Sequence, residues 1–129
     1  MRSILYGLLL GLSIGTAGAQ ALDRPALGTY TTNAEHGPRS SGADLVIKQI
    51  TADGRIVGTV REHKGGAMCG VPLAANGLLV KDGTVRIEVN DGAPEGCERT
   101  YLLERTPDGG FTGTAIHGGK RYPVQFAHR

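Results

Sequence analysis

The residues of this chain that could carry chemistry are few, and its two cysteines are the most informative. Cys69 lies in the glycine-rich stretch "HKGGAMCGVP" at 63–72, and Cys97 lies in "APEGCER". The Cys-x-x-Cys spacing that is typical of zinc sites is absent. In an oxidising compartment two cysteines pair far more often than they stay free. The sequence therefore predicts a Cys69–Cys97 disulfide.

Three of the four histidines, His36, His63 and His117, fall in glycine-containing segments beside charged residues. Imidazole and carboxylate groups together are ligands of transition metals, which makes these histidines weak candidates for a metal site. No His-x-His or His-x-x-x-His pair fixes a coordination geometry. We predict solvated loop histidines, with no bound metal and no other cofactor.

Candidate catalytic groups are scarce. Only two serines follow the N-terminal apolar segment, and both cysteines are predicted to be oxidised. Ser41 with His36 and Glu35 forms a local cluster without the order of a catalytic triad. An acid and base pair could be drawn from Glu35, Glu62 and Glu95 only if burial tuned their pKa values, which no sequence feature indicates. We favour a protein without enzymatic activity.

The N-terminal segment has the pattern of a secretory signal peptide. Arg2 precedes an apolar run at 4–14, and small residues follow at Ala17 and Ala19. The apolar run is shorter than the ~20 residues that a spanning helix requires, so we expect no membrane anchor. We predict cleavage after Ala19 (signal peptide 1–19), a single domain at 20–129, and a periplasmic or secreted protein.

The charges of the predicted mature chain are nearly balanced. Loss of Arg2 leaves 13 basic residues against 12 acidic ones. The basic residues are scattered and alternate with acidic ones, so no stripe could neutralise successive phosphates. We expect no nucleic-acid partner.

The dominant hydrophobic period is two, which is typical of half-buried strands. Val85, Ile87 and Val89 alternate with polar residues, and no stretch has a convincing helical period. Eight short segments, each bounded by Gly, Asp, Asn or Pro, are predicted strands: 28–32, 44–50, 55–62, 78–81, 84–90, 98–104, 111–116 and 121–127. So many short strands in one small chain predict an all-β, eight-stranded antiparallel up-and-down barrel with one disulfide.

The predicted interior is apolar throughout. Its members are Leu45, Ile47, Ile56, Val60, Val85, Ile87, Val89, Leu102, Phe111, Tyr122, Val124 and Phe126. A pattern D-G-x-apolar-x-G-T occurs at 53–59 and 108–114, with a partial copy at 82–83. Asp-Gly suits tight hairpin turns, and a glycine within a strand permits the bend of a closed barrel. We interpret the repeat as barrel geometry.

One resemblance supports the same fold. The segments "LGTYTTN" at 27–33 and "LVIKQITADGRIVGTV" at 45–60 resemble the first three strands of avidin-type barrels, within the wider lipocalin-like group. The resemblance implies an eight-stranded up-and-down barrel. The ligand-binding tryptophans of the avidin family have no counterpart, since the chain contains no Trp.

Alternate connections of such a meander lie at opposite ends of the barrel. The Asp-Gly turns fall at one end, and the longer connections, which contain the cysteines and three histidines, fall at the other. Binding residues are disproportionately carried on such loops. We predict a binding site at the loop end, made of Arg61, His63, Lys64, Tyr101 and Lys120. The favoured function is a protein-interaction module, and the alternative is a barrel that binds a small apolar or amphipathic ligand.

Overall fold

The computed structural model describes residues 24–32, 42–80, 83–90 and 92–129. They form a closed barrel of eight antiparallel strands in sequential order, as predicted. The predicted signal peptide lies outside the described residues. Within the described ranges, no helix has the length and apolar character needed to cross a bilayer.

The elements follow one another as a meander with one short helical turn. They are β1 (Gly28–Thr32), β2 (Ala43–Ile50), β3 (Arg55–Glu62), α1 (Gly66–Cys69), β4 (Leu73–Leu79), β5 (Thr84–Val89), β6 (Arg99–Arg105), β7 (Phe111–His117) and β8 (Lys120–His128). Most predicted strands agree with these bounds to within one or two residues. The helical turn α1 was not predicted, because four residues are too few to show a helical period.

The fourth strand differs from the prediction. It occupies Leu73–Leu79, not 78–81, and it pairs with β3 from Leu73 opposite Val60 to Leu78 opposite Arg55. Its inward positions include Ala75 and Gly77, so small residues hide the alternation that marks other strands.

Pairing of the first and last strands closes the barrel. Thr31 lies opposite Ala127, and Thr32 lies opposite Phe126. This confirms that β8 pairs with β1, and it removes two edges that would otherwise present unpaired backbone groups.

The core contains the inward side chains of all eight strands. Its largest fully buried members are Tyr30, Phe111, Leu45, Ile47, Ile56, Ile87 and Leu103. The inward assignment of Leu102 was wrong, because β6 presents Tyr101 and Leu103 to the core while Leu102 is exposed. Register explains the difference, since Tyr101 pairs with the buried Ile87. Tyr122 is only half-buried.

The two glycines of the repeat allow strand backbones to approach closely. A Cβ atom on Gly58 would lie 1.9 Å from the Val46 carbonyl oxygen, and one on Gly113 would lie 2.0 Å from that of Leu102. Each glycine thus sits where a side chain would collide with the neighbouring strand. This supports the interpretation of the repeat as geometry.

The segment before β1 lies against the first Asp-Gly turn, at one end of the barrel. Arg24 donates hydrogen bonds from its guanidinium to the carbonyl oxygens of Thr51 and Ala52, both at 2.9 Å. The Tyr30 hydroxyl donates to the Ala26 carbonyl oxygen at 2.7 Å. The segment before β1 therefore lies at this turn end, whereas the connections that carry Cys69 and Cys97 lie at the other, the loop end. The β7–β8 connection at the loop end is a tight turn of Gly118 and Gly119, not a longer loop as expected.

Candidate functional site

A disulfide joins two connections at the loop end. Cys69 ends α1 in the connection between β3 and β4, and Cys97 precedes β6. Their sulfur atoms are bonded and their Cα atoms are 5.5 Å apart, which confirms the predicted bridge. We call the connection at 63–72 the braced loop.

Local hydrogen bonds order the braced loop further. The Cys69 amide donates to the Gly65 carbonyl oxygen and the Gly70 amide donates to that of Gly66, both at 3.0 Å. Gly66 has a φ of 68°, which favours glycine. On the other side of the bridge, Cys97 is buried. The braced loop is thus fixed both by its own turn and by a buried anchor.

Two apolar side chains of the braced loop face solvent. Met68 is 53% exposed and Val71 is 44% exposed. Neither contributes to the buried core of the barrel. Exposed apolar groups on an ordered loop are available for contact with another molecule.

Three ionisable side chains lie at the mouth of the barrel on the loop end. Glu62, Arg99 and His117 continue the inward faces of β3, β6 and β7, and we call them the mouth cluster. Arg99 and Glu62 form an ion pair with a nitrogen–oxygen distance of 2.8 Å, and their side chains are 17% and 23% exposed. Arg99 also donates to Nδ1 of His117.

Arg99 also holds the loop that carries Cys97. Its guanidinium donates to the carbonyl oxygens of Gly96 at 3.1 Å and Glu98 at 3.0 Å. The Gly96 amide in turn donates to the Glu98 carboxylate at 3.0 Å. The mouth cluster therefore orients the backbone segment to which the braced loop is bridged.

Tyr101 lies below the mouth cluster. Its residue is only 4% exposed, and its ring packs edge-on against Phe126 with centroids 5.7 Å apart. Burial raises the pKa of the Tyr101 phenol, the Glu62 carboxylate raises it further, and Arg99 opposes them. Arg99 and Tyr101 occupy successive inward positions of β6, and Arg99 is paired with Glu62, so Tyr101 is the next inward residue below this ion pair.

A second polar cluster lies on the outer wall beside the braced loop. The Asp44 carboxylate accepts hydrogen bonds from Thr31 at 2.5 Å and Arg61 at 2.6 Å, and Nε2 of His63 lies 2.8 Å from it. Partial burial opposes the charge on Asp44, but the hydrogen bonds from His63, Thr31 and Arg61 outweigh it. They lower the pKa of the Asp44 carboxyl from 3.8 to about 2.

An open groove adjoins this cluster on the outer wall. Its volume is about 660 Å³. Its lining includes Thr29, Val46, Thr59, Arg61 and Pro72. The groove mixes polar and apolar groups and is continuous with the C-terminal end of the braced loop.

The five predicted binding residues do not form one surface. Lys64 and Lys120 are exposed at the loop end. Arg61 and His63 belong to the Asp44 cluster on the outer wall. Tyr101 belongs to neither surface, because its side chain lies inside the barrel.

The candidate metal ligands are separated. His63 lies against Asp44, while His117 contacts Arg99. Among the described residues no group of three His, Cys, Asp or Glu side chains could hold a metal ion. His36 lies outside the described residues.

Sequence reasoning missed the inward orientation of the mouth cluster. Continuing the period of two from Val60 places Glu62 inward, and the correct register of β6 places Arg99 inward with Tyr101. The alternation of the sequence therefore indicates both inward positions, but assigning Leu102 to the core placed Arg99 and Tyr101 on the outer face of the strand. The exposed Met68 had no sequence signal, because apolar residues in a loop can equally well be buried.

Comparison with known proteins adds no functional assignment. No protein-family model, curated protein or solved structure matches the chain.

Proposed function

We propose that this protein is a non-catalytic protein-interaction module that binds its partner through the braced loop. The observation that carries the proposal is the exposure of Met68 and Val71, at 53% and 44%, on a loop fixed by a disulfide. The proposed partner is a protein with an apolar cleft that receives this loop.

Rigidity favours this role for the braced loop. A flexible loop loses conformational freedom when it binds, and this loss weakens the complex. The Cys69–Cys97 bridge and the bonds of Arg99 to Gly96 and Glu98 restrict the loop before binding. Its ordering cost on association is correspondingly small.

The chemistry of the loop end also suits a protein partner. Protein interfaces commonly combine a few apolar anchors with a surrounding polar rim. Met68 adapts its unbranched side chain to irregular pockets. Lys64, His63 and Lys120 supply polar groups at the same end of the barrel. In such an arrangement the apolar anchors supply most of the affinity, and the surrounding polar groups fix the orientation of the partner.

The alternative function, a barrel that holds a small apolar ligand in its interior, has weaker support. Tyr30 and Phe111 pack with centroids 4.8 Å apart in the interior, and Tyr101 packs against Phe126. These rings occupy space that an apolar ligand would need. A kinship with avidin-like or lipocalin-like barrels stays a proposal about the fold, and it assigns no ligand here.

The disulfide is compatible with an extracellular location. We include in the proposal that the protein acts in the periplasm or outside the cell, after removal of residues 1–19. The proposal includes no nucleic-acid partner, because the basic residues of the sequence are scattered among acidic ones.

Site-specific photocrosslinking in the native compartment tests the proposed function. A benzoylphenylalanine in place of Met68 should crosslink to a discrete protein, because this side chain lies in the proposed contact. The matched control places the same group at Val57, which is 42% exposed on the barrel wall. That position should give no discrete product.

Competition makes the result specific. Excess wild-type protein should suppress the crosslink, whereas a Met68→Ser, Val71→Ser double variant should not. Circular dichroism should show that this variant is folded, since substitutions at exposed positions usually change stability by less than about 0.5 kcal/mol. Equal crosslinking from both positions, or equal suppression by both competitors, would refute the assignment.

A further inference from the structure

The Tyr101 hydroxyl is a buried polar group without a hydrogen-bond partner among the described residues. Tyr30 provides the contrast, because its hydroxyl donates to the Ala26 carbonyl oxygen at 2.7 Å. Tyr101 is only 4% exposed, yet its interactions are the ring contact with Phe126 and the electrostatic influence of Glu62 and Arg99. Buried polar groups are nearly always satisfied, so an unsatisfied one points to a missing partner.

The groups around this hydroxyl define the chemistry of the missing partner. Glu62 presents carboxylate oxygens with more lone pairs than Arg99 occupies. The Tyr101 phenol stays protonated at neutral pH, because burial raises its pKa, and it therefore offers a donor. Because Arg99 and Tyr101 are successive inward residues of β6 and Glu62 is paired with Arg99, a donor and an acceptor occupy neighbouring inward positions at the barrel mouth.

We propose that the barrel mouth binds a neutral group that is both an acceptor and a donor of hydrogen bonds, namely a hydroxyl or a primary amide. Tyr101 donates to its oxygen, and its own O–H or N–H donates to Glu62. The group belongs either to a free small molecule or to a side chain of the partner protein.

The balance of charge at the mouth selects against ions. Glu62 and Arg99 neutralise each other as an ion pair, so the mouth offers an entering ion no net opposite charge to compensate for its lost hydration. A neutral group leaves this pair intact and satisfies the buried hydroxyl. Since Glu62 and Arg99 keep about a fifth of their side-chain surface exposed, the approach to Tyr101 passes beside them.

This site is separate from the proposed function of the braced loop. Met68 and Val71 are exposed on the outside, whereas Tyr101 lies inside the barrel. The two proposals can therefore fail independently. Where the group comes from a partner side chain, the mouth adds specificity to the contact made by the braced loop.

Tyrosine-specific NMR tests the inference. The protein without residues 1–19, labelled with carbon-13 at the tyrosine ζ position, contains three signals, from Tyr30, Tyr101 and Tyr122. Acetamide and ethylene glycol are the probes, and acetate and methylammonium are the charged controls. The neutral probes should shift the Tyr101 signal saturably, while Tyr30, whose hydroxyl is already bonded, should not respond.

Substitution supplies the second readout. In the wild type, the backbone amide signals of Arg99 and His117 should shift with the same dependence on probe concentration as the Tyr101 signal. In Tyr101→Phe the apparent affinity for acetamide should fall about tenfold, since one hydrogen bond to a buried group is lost. Tyr30→Phe should leave this affinity unchanged.

Several results would overturn the inference. They are a Tyr101 signal that ignores both neutral probes, an equal response to acetate, or a Tyr101 hydroxyl proton that is already hydrogen-bonded in the free protein, as an internal water would cause. The Met68→Ser, Val71→Ser variant should respond to acetamide like the wild type, so loss of its partner crosslinks would not affect this test.

The source of the group is read from the complex. If a partner side chain supplies it, adding the crosslinked partner shifts the Tyr101 signal and displaces acetamide. If a free small molecule supplies it, the partner and acetamide bind together.

Discussion

Replacement of Tyr101 by phenylalanine should not destabilise the free protein, although Tyr101 belongs to the buried core. The substitution removes one oxygen atom and retains the ring that packs against Phe126. An unsatisfied buried hydroxyl costs about 1–3 kcal/mol relative to its hydrated state. Its removal should therefore raise the free energy of unfolding, by up to about 2 kcal/mol, or leave it unchanged.

The matched control is Tyr30→Phe, at the other buried tyrosine of the core. This substitution removes the hydrogen bond to the Ala26 carbonyl oxygen and should cost about 1 kcal/mol. Urea unfolding followed by circular dichroism measures both changes, with the slope of the transition unchanged. The two variants should thus shift the midpoint in opposite directions, or only Tyr30→Phe should shift it.

A loss of about 1 kcal/mol or more in Tyr101→Phe would refute the reasoning. It would mean that the hydroxyl already has a partner in the free protein, such as an ordered water. The binding experiment would then lose its physical basis. A stabilised Tyr101→Phe that no longer binds acetamide would instead identify a position where function is retained at a cost in stability.

Three further predictions concern the groups that fix the loop end and the barrel. Because the pKa of Asp44 is lowered from 3.8 to about 2, its ionised form stabilises the folded state fully above about pH 4, and this stabilisation is lost as the pH falls toward 2. After allowance for solvent screening, Asp44→Asn should remove about 1 kcal/mol of this pH-dependent part of the free energy of unfolding. Urea unfolding at about pH 2 to 6 measures the change. The free energy of unfolding should fall by about 3–4 kcal/mol in a Cys69→Ala, Cys97→Ala variant, since the bridge closes a segment with a sequence separation of 28. A decrease below about 1 kcal/mol in the same assay would show that the bridge hardly constrains the unfolded chain. Gly58→Ala should lower the free energy of unfolding by at least about 2 kcal/mol or prevent folding, because the new Cβ would lie 1.9 Å from the Val46 carbonyl oxygen. A variant as stable as the wild type would show that the two strands move apart easily.

The sequence by itself determined the fold class and the disulfide. Period-two alternation, as at Val85, Ile87 and Val89, needs only local order, and turn residues mark the ends of strands. Strand counting then placed Cys69 and Cys97 at one end of the barrel, because successive antiparallel strands must reverse direction. These inferences hold without knowledge of side-chain contacts. They also placed β8 next to β1, where the closed sheet pairs it.

Only the tertiary structure decided which polar groups meet at the barrel mouth. Glu62 and Arg99 are separated by 37 residues, and their ion pair depends on the tilt of the strands and on pairing register across the whole sheet. A shift of one residue reverses the face of every side chain, as the exchange of Leu102 for Tyr101 demonstrates. The local sequence pattern shows that side chains alternate between two faces of a strand, but the packing of the other strands decides which face points into the barrel.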